Sequence, residues 1–413
     1  MDNSTTIKTN YNFIAFIALV FLLPSRDDWY RWYTLALVVG PLIFLLVGYK
    51  SRFNSLAKWV VGWLFFFILS NVIKLIFLPA PFNMAKEYTE FFRILILLPV
   101  LLIKDKYFTK KNFAAIIKFI FFYLIIDSFI TFTEIGIIKI NSPILINIKK
   151  IYHSENQLGL GYLAKGLSSH GAEHGIIMNF ILILLLICIK YFKNKSTIYY
   201  ISIVLCLFNL VACGSKTSML GFAFIFAVFI FMLVLKENLK IPFSYLLIIL
   251  LLIFGIIWAL NSGKFIRLKL LLSVGTSGTS YVSRLSNWGY FFNIMERYLY
   301  LFPFGWGKSI FIIDNNKTFY TDNEYFTILI IHGIVVLLCI LTIMWKYITR
   351  CFIYWNRINI YHKFLFFLLL DYLFIGYASV SFSSPTILAL LCIVYKFAIA
   401  KDAEENILVK KYS

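Results

Sequence analysis

From Asn12 to Ala400 the chain is a nearly unbroken relay of apolar runs, and only two interruptions, residues 139–170 and 261–322, are long. In a bilayer every backbone N–H and C=O needs a partner inside the protein, so only helices and closed barrels can span it. Barrel strands alternate apolar and polar residues, and runs such as Tyr245–Leu260, Phe180–Ile189 and Gly221–Leu235 do not. A spanning helix needs about 20 apolar residues. The pattern therefore predicts an all-α polytopic integral membrane protein with about twelve transmembrane helices. They fall near 12–24, 32–49, 59–78, 88–103, 113–133, 171–190, 197–213, 217–235, 241–260, 323–345, 364–380 and 385–400. With 61% hydrophobic residues and a mean hydropathy of +0.85, no water-soluble domain is expected. Residues 1–413 read as one integral domain with two inserted loops and no internal repeat.

The formal net charge is +20. In a soluble chain that would suggest nucleic acid; here the basic residues sit in short loops beside spans, as the positive-inside rule expects, and no nucleic-acid role is expected. Lys50, Arg52 and Lys58 form one group, and Lys104, Lys106, Lys110 and Lys111 the next. Lys190, Lys193 and Lys195 follow, then Lys236 and Lys240, then Lys346, Arg350, Arg357 and Lys363, and finally Lys401, Lys410 and Lys411. With twelve spans all six groups land on one side, which the rule assigns to the cytoplasm together with both termini. Both long loops, the Gly214-Ser215-Lys216 turn and the Ser381–Ser384 turn then face the opposite side, the periplasm of a bacterium with two membranes. Polar Met1–Tyr11 reads as an uncleaved start rather than a removed signal peptide. The six cysteines lie in or beside apolar runs without C-x-x-C spacing, so they read as core residues and not as a metal or disulfide framework.

Chemistry is expected at the polar interruptions. In 261–322, Gly275-Thr276-Ser277-Gly278-Thr279-Ser280 leads into Arg284, after which Leu285, Trp288, Phe291, Phe292 and Met295 follow helical spacing. Arg284 is thus expected in the first turn of an amphipathic helix. A helix N-terminus with an adjacent guanidinium suits a phosphate, although a capped surface loop carries the same residue types. Lys216, in a tight turn on the non-cytoplasmic side, runs against the orientation rule and is a candidate ligand-binding cation, with snorkelling as the plainer reading. The loop closes with Asp322-Asn323-Glu324-Tyr325. Acidic residues at a helix start are ordinary capping chemistry, and equally a carboxylate able to take a proton from a sugar hydroxyl. His170 and His174 are four residues apart and could share a helix face. Glu173 lies between them in the order H-x-x-E-H, but nothing else nearby supports a metal, so ligand contact or an interface role is the expectation. Lys74, Arg93 and Asp127 lie inside apolar runs and should face a cavity or pair, Arg93 with Glu90 or Asp127.

In order and topology these positions resemble the O-antigen polymerase and O-antigen ligase superfamily over roughly residue 160 to the C-terminus. The resemblance rests on five elements: the small-residue span entrance Ser168–Gly175, the turn Gly214-Ser215-Lys216-Thr217-Ser218, Arg284 with Trp288, Pro303-Phe304-Gly305-Trp306-Gly307, and Asp322-Asn323 followed by Gly333. Two departures stand out. The turn cation is usually arginine in the family, and Lys216 loses the bidentate fork. Ligases carry a histidine where this chain has Asp322, so the pattern is more like a polymerase. The resemblance implies a GT-C-like glycosyltransferase of the bacterial inner membrane, active at the periplasmic face on undecaprenyl-pyrophosphate-linked oligosaccharides, without a metal or cofactor. It implies Arg284, Lys216, Asp322 and Glu324 as catalytic residues, and His170, His174, Asn323, Trp288 and Tyr325 as substrate contacts. Membrane lipids and a chain-length regulator protein are the further candidate partners. Transfer of glycan to lipid A core by a ligase is the nearest alternative. A flippase for the same lipid-linked sugars is a transport alternative that would predict pseudo-symmetric halves.

Overall fold

The computed structural model describes residues 10–22, 54–77, 84–95, 97–135, 143, 164, 166–168, 171–192, 197–237, 257, 279–308, 312–313, 317–318, 323–377 and 385–412. The expected spans at 32–49 and 241–260, most of loop 139–170, and the site candidates His170 and Asp322 lie outside the described residues.

The described chain is helical apart from a two-residue antiparallel pairing, β1 (Ile312–Ile313) with β2 (Lys317–Thr318). The helices are α1 (Tyr11–Leu22), α2 (Ser55–Phe77), α3 (Met84–Leu95), α4 (Leu97–Leu101), α5 (Lys110–Glu134) and α6 (Gly171–Tyr191). They continue with α7 (Thr197–Ala212), α8 (Lys216–Glu237), α9 (Thr279–Arg297), α10 (Glu324–Ile353), α11 (Ile360–Ile375) and α12 (Pro385–Tyr412). Among the described residues five helices, α2, α5, α6, α8 and α10, are long and apolar enough to cross a membrane. The run expected as one span at 88–103 forms two short helices: α3, with Lys86, Glu87, Glu90 and Arg93 within 12 residues, is too charged for a simple lipid-crossing helix.

Helix starts follow local chemistry. Thr109 caps α5 by accepting from Asn112 N, Asn323 caps α10 through Phe326 N, and Asn359 caps α11 through the amides of Tyr361 and His362. α6 is apolar on every side, the composition of a helix enclosed by others; every residue from Ile176 to Ile189 is buried. α7, α8 and α11 pack around it, α5 lies outside α7, and α2 packs on α3, α4 and α10. On α2, Phe65, Ile68, Val72 and Ile76 are exposed, a stripe that in water would invite association and in a bilayer meets lipid.

The helix ends sort into two faces. At the base, Lys190 and Lys363 both reach Glu237, at 3.4 and 3.2 Å, joining the ends of α6, α8 and α11. There too Lys396 pairs with Asp105, Asn54 donates to Leu101 O and Asn359 to Ala398 O. These are the helix ends beside the basic groups that the sequence places on one side. At the opposite face Ala164 N bonds Ala212 O (3.4 Å), Gly166 N bonds Glu134 (3.0 Å) and Glu324 N bonds Gly376 O (2.8 Å). The six cysteines are thiols, buried except for the half-buried Cys339.

Candidate functional site

The face opposite the base carries two polar centres built in different ways. The first is packed between α5, α6 and α7. Asp127 is fully buried, and its carboxylate receives His174 Nε2 at 2.8 Å, Asn209 Nδ2 at 3.0 Å and Leu167 N at 2.7 Å. Asn209 also reaches Ser128 Oγ at 2.9 Å. One turn further along α6, Asn179 donates to Ser218 O (2.9 Å) and to Asp371 of α11 (3.4 Å). Gly175 lies against Ser218, where a Cβ would come 2.6 Å from the serine Cβ. The span entrance Ser168–Gly175 and the turn Gly214–Ser218, separate in sequence, are thus adjacent. His174 stands inside this network, 0% exposed, and not on an open surface.

The second centre is made by a break in α10. Gly333 has φ +82° and ψ 173°, a conformation open essentially to glycine alone, and separates a half-helix at 324–332 from one at 334–353. Backbone groups at the break, one carbonyl and one amide, pair with the element after α9. Trp306 N and Gly307 N donate to Ile330 O at 2.7 and 3.1 Å, while Ile334 N donates to Phe302 O at 3.0 Å. Gly305 (φ +78°) is pressed against the break, and a Cβ on it would come 2.5 Å from Gly333 N. Lys74 of α2, 0% exposed, donates to Ile331 O at 3.0 Å, and Ser70 to Phe304 O at 2.7 Å. The Pro303–Gly307 motif and Gly333 therefore form one structure. About 20 residues separate the break from the base end of α10, about one hydrocarbon thickness.

Charges surround the break. Glu90 pairs with Arg93 (2.7 Å) and Lys308 (3.0 Å) and faces His332 (3.8 Å), whose ring packs on Trp63 and Phe67. Of the two partners open to Arg93, the structure selects Glu90; Asp127 is taken by His174.

The half-helix start is held by α11. Asn323 donates to Tyr377 O at 3.0 Å, and Tyr325 donates its hydroxyl to Leu373 O. Glu324 is fully buried beside Gly376. A groove of about 240 Å³ opens here, lined by Trp288, Phe292, Asn323, Tyr325, Phe326, Leu329 and Leu337. Three expected substrate contacts, Trp288, Asn323 and Tyr325, thus share one groove.

Of the expected cations, Lys216 is the first residue of α8 and Arg284 lies in α9, but their side chains are outside the described ones. α9 begins at Thr279, so Arg284 is in its second turn and not the first. The last helix breaker before it is Gly278, and nothing in 279–283 opposes helix. Arg284 is one turn before Trp288 in the groove. Gly221 of α8 is packed on Asp371 and Ile375, next to Gly376 and Glu324. Five residues of helix, about 8 Å of rise, separate Lys216 from Gly221. The backbones of Lys216, Arg284 and Glu324 therefore belong to the same face.

Glu87, Asn179, Asn209 and Asp371 were not singled out from sequence, although a lone polar residue within an apolar run is a visible signal. Among the described residues no group of three His, Cys, Asp or Glu side chains is arranged to hold a metal ion. No curated protein and no solved structure gave a match. Residues 201–341, about a third of the chain and inclusive of Lys216, Arg284, Asp322 and Gly333, match the family model described as O-antigen ligase, in keeping with the O-antigen polymerase and ligase superfamily.

Proposed function

We propose that this protein is an inner-membrane glycosyltransferase that polymerises surface polysaccharide by joining undecaprenyl-pyrophosphate-linked repeat units at its non-cytoplasmic face. The family match over 201–341 supports glycosyl transfer of this class, because that segment holds the turn cation, the loop arginine and the Asp-Asn start together, and Asp322, where ligases carry a histidine, turns the reading toward a polymerase. The groove shared by Trp288, Asn323 and Tyr325 supports it as a place where sugar faces stack on aromatic rings. Lys216 and Arg284 grip the diphosphate of the donor and neutralise charge as it departs, a positioning and electrostatic role. Asp322 takes the proton from an acceptor hydroxyl; its oxygen bonds to the anomeric carbon while the bond to the diphosphate breaks, releasing undecaprenyl pyrophosphate. Glu324, buried against Gly376, anchors the half-helix and leaves the base role to Asp322. His170 contributes at the span entrance, and a chain-length regulator protein is the expected partner in the membrane.

The test is deletion of the gene followed by gel analysis of surface glycan, then complementation. A polymerase deletion leaves single-repeat product. Arg284→Ala inserts normally and gives no ladder, and full-length ladders from it would remove the arginine from the mechanism. Lys216→Arg retains ladders and Lys216→Ala loses them; equal activity in the two would reduce Lys216 to an anchor. The ligase reading is favoured by the description of the matching family. Its signature is distinct: long carrier-linked polymer accumulates with none on the lipid A core.

A further inference from the structure

The reaction proposed above makes no use of the buried charges beside the break in α10, and they are costly to keep. Lys74 is 0%, Glu90 1% and the Arg93 side chain 9% exposed. A buried ammonium is tolerated only where specific partners compensate its lost hydration. Lys74 donates to Ile331 O, two residues before the break (3.0 Å), and over a longer distance to Asn71 Oδ1 (3.4 Å). A cation there also meets the negative end of the half-helix dipole. Glu90 grips Lys308, the residue directly after the capping amides of Trp306 and Gly307, and faces His332, the last residue before the break. α2, α3, the 302–308 element and half-helix 324–332 are thereby tied at one end of the segment whose other end bears Asn323 and Tyr325.

Building on the proposed reaction, we infer that Lys74 and Glu90 are positioning residues: Lys74 through the Ile331 carbonyl, and Glu90 through Lys308, fix the seat of the half-helix and so the placement of Asn323 and Tyr325 against the substrate. A rigid segment of nine residues passes a tilt at its root directly to its tip, and misplacement by about 1 Å costs about a hundredfold in rate.

The experiment uses the full chain in lipid nanodiscs, with Lys74→Met, Lys74→Arg and Glu90→Gln, followed by amide hydrogen exchange and by turnover on a lipid-linked repeat unit. Lys74→Met is expected to speed exchange in 303–308 and 328–334 and to lower kcat about a hundredfold, with KM little changed. Lys74→Arg, which keeps a donor, restores most of the rate. Combined with Tyr325→Phe, Lys74→Met costs less than the product of the two single losses, because both unseat the same segment. Combined with Asp105→Asn at the base, the losses simply multiply. If Lys74→Met does not insert, Glu90→Gln carries the same expectations in weaker form. Unchanged exchange in both segments, or raised exchange with unchanged kcat, overturns the positioning role even for an active enzyme. A wild-type chain that elongates nothing while the variants still raise exchange overturns the reaction instead, and the catalytic meaning of the positioning with it.

Discussion

Two helices, α6 and α10, run between the same two faces of the bundle and handle polarity in opposite ways. α6 keeps its backbone intact and carries polarity in side chains: His174 on Asp127, and Asn179 on Ser218 O and Asp371. α10 is broken at Gly333, and its backbone there is met by amides, a carbonyl and an ammonium from two other segments. The contrast is instructive for a chain in lipid. A side-chain pair locks one helix against its neighbours and ends there. A backbone break is tolerated only where other protein covers it, so it draws in the segment after α9 and links that loop mechanically to the bundle. The groove residues Asn323 and Tyr325 sit at the start of the broken helix, and the unbroken one packs within the frame of α7, α8 and α11.

Substitutions can break this comparison, beginning with the largest expected effect. Asp127→Ala strips the partner from His174, Asn209 and Leu167 N within a sealed core, and should cost about 3–5 kcal/mol, read as a large drop in thermal stability in detergent and in membrane yield. A near-normal melting temperature would show that α6 is held by apolar packing alone. Gly333→Ala forces a side chain into a glycine-only conformation and against Pro303 O, with a Cβ 2.5 Å from Gly305 N; it should cost about 3 kcal/mol. The discriminating detail is location: exchange should rise around 302–308 and not at α6. At the base, Glu237→Gln weakens links to Lys190 and Lys363 that are partly exposed, and about 1 kcal/mol or less is expected. A loss as large as that of Asp127→Ala would make the base an equal partner in stability. The smallest effect is assigned to Gly62→Ala on the lipid-facing side of α2, where an added Cβ meets nothing within 4 Å; melting and ladders should match the parent.

The candidate site was legible in pieces. Pro303–Gly307 and Gly333 stand out as motifs, and Lys74 and Arg93 as ionisable residues in apolar runs, yet nothing in their spacing says that the first pair is one joint or that Lys74 serves a carbonyl. Arg93 had two plausible carboxylates and the fold selected Glu90. His170 and His174 are expected from their spacing as ligand contacts or interface residues, and the fold adds that His174 is bonded to Asp127, 47 residues earlier. Glu324 stands beside Asp322 in the sequence as a second acid at a helix start, and only the fold shows that its side chain is fully buried.

The amino-acid order by itself determined the class of molecule, most helix positions and which helix ends share a face, because solvent sorts residues by hydropathy and charge one segment at a time. Which helix breaks open, which loop fills it and which acid meets which base were decided only in three dimensions. Lipid is as apolar as leucine, so partner choice among spans rests on small residues, close approaches and polar pairs, and those exist only once distant segments meet.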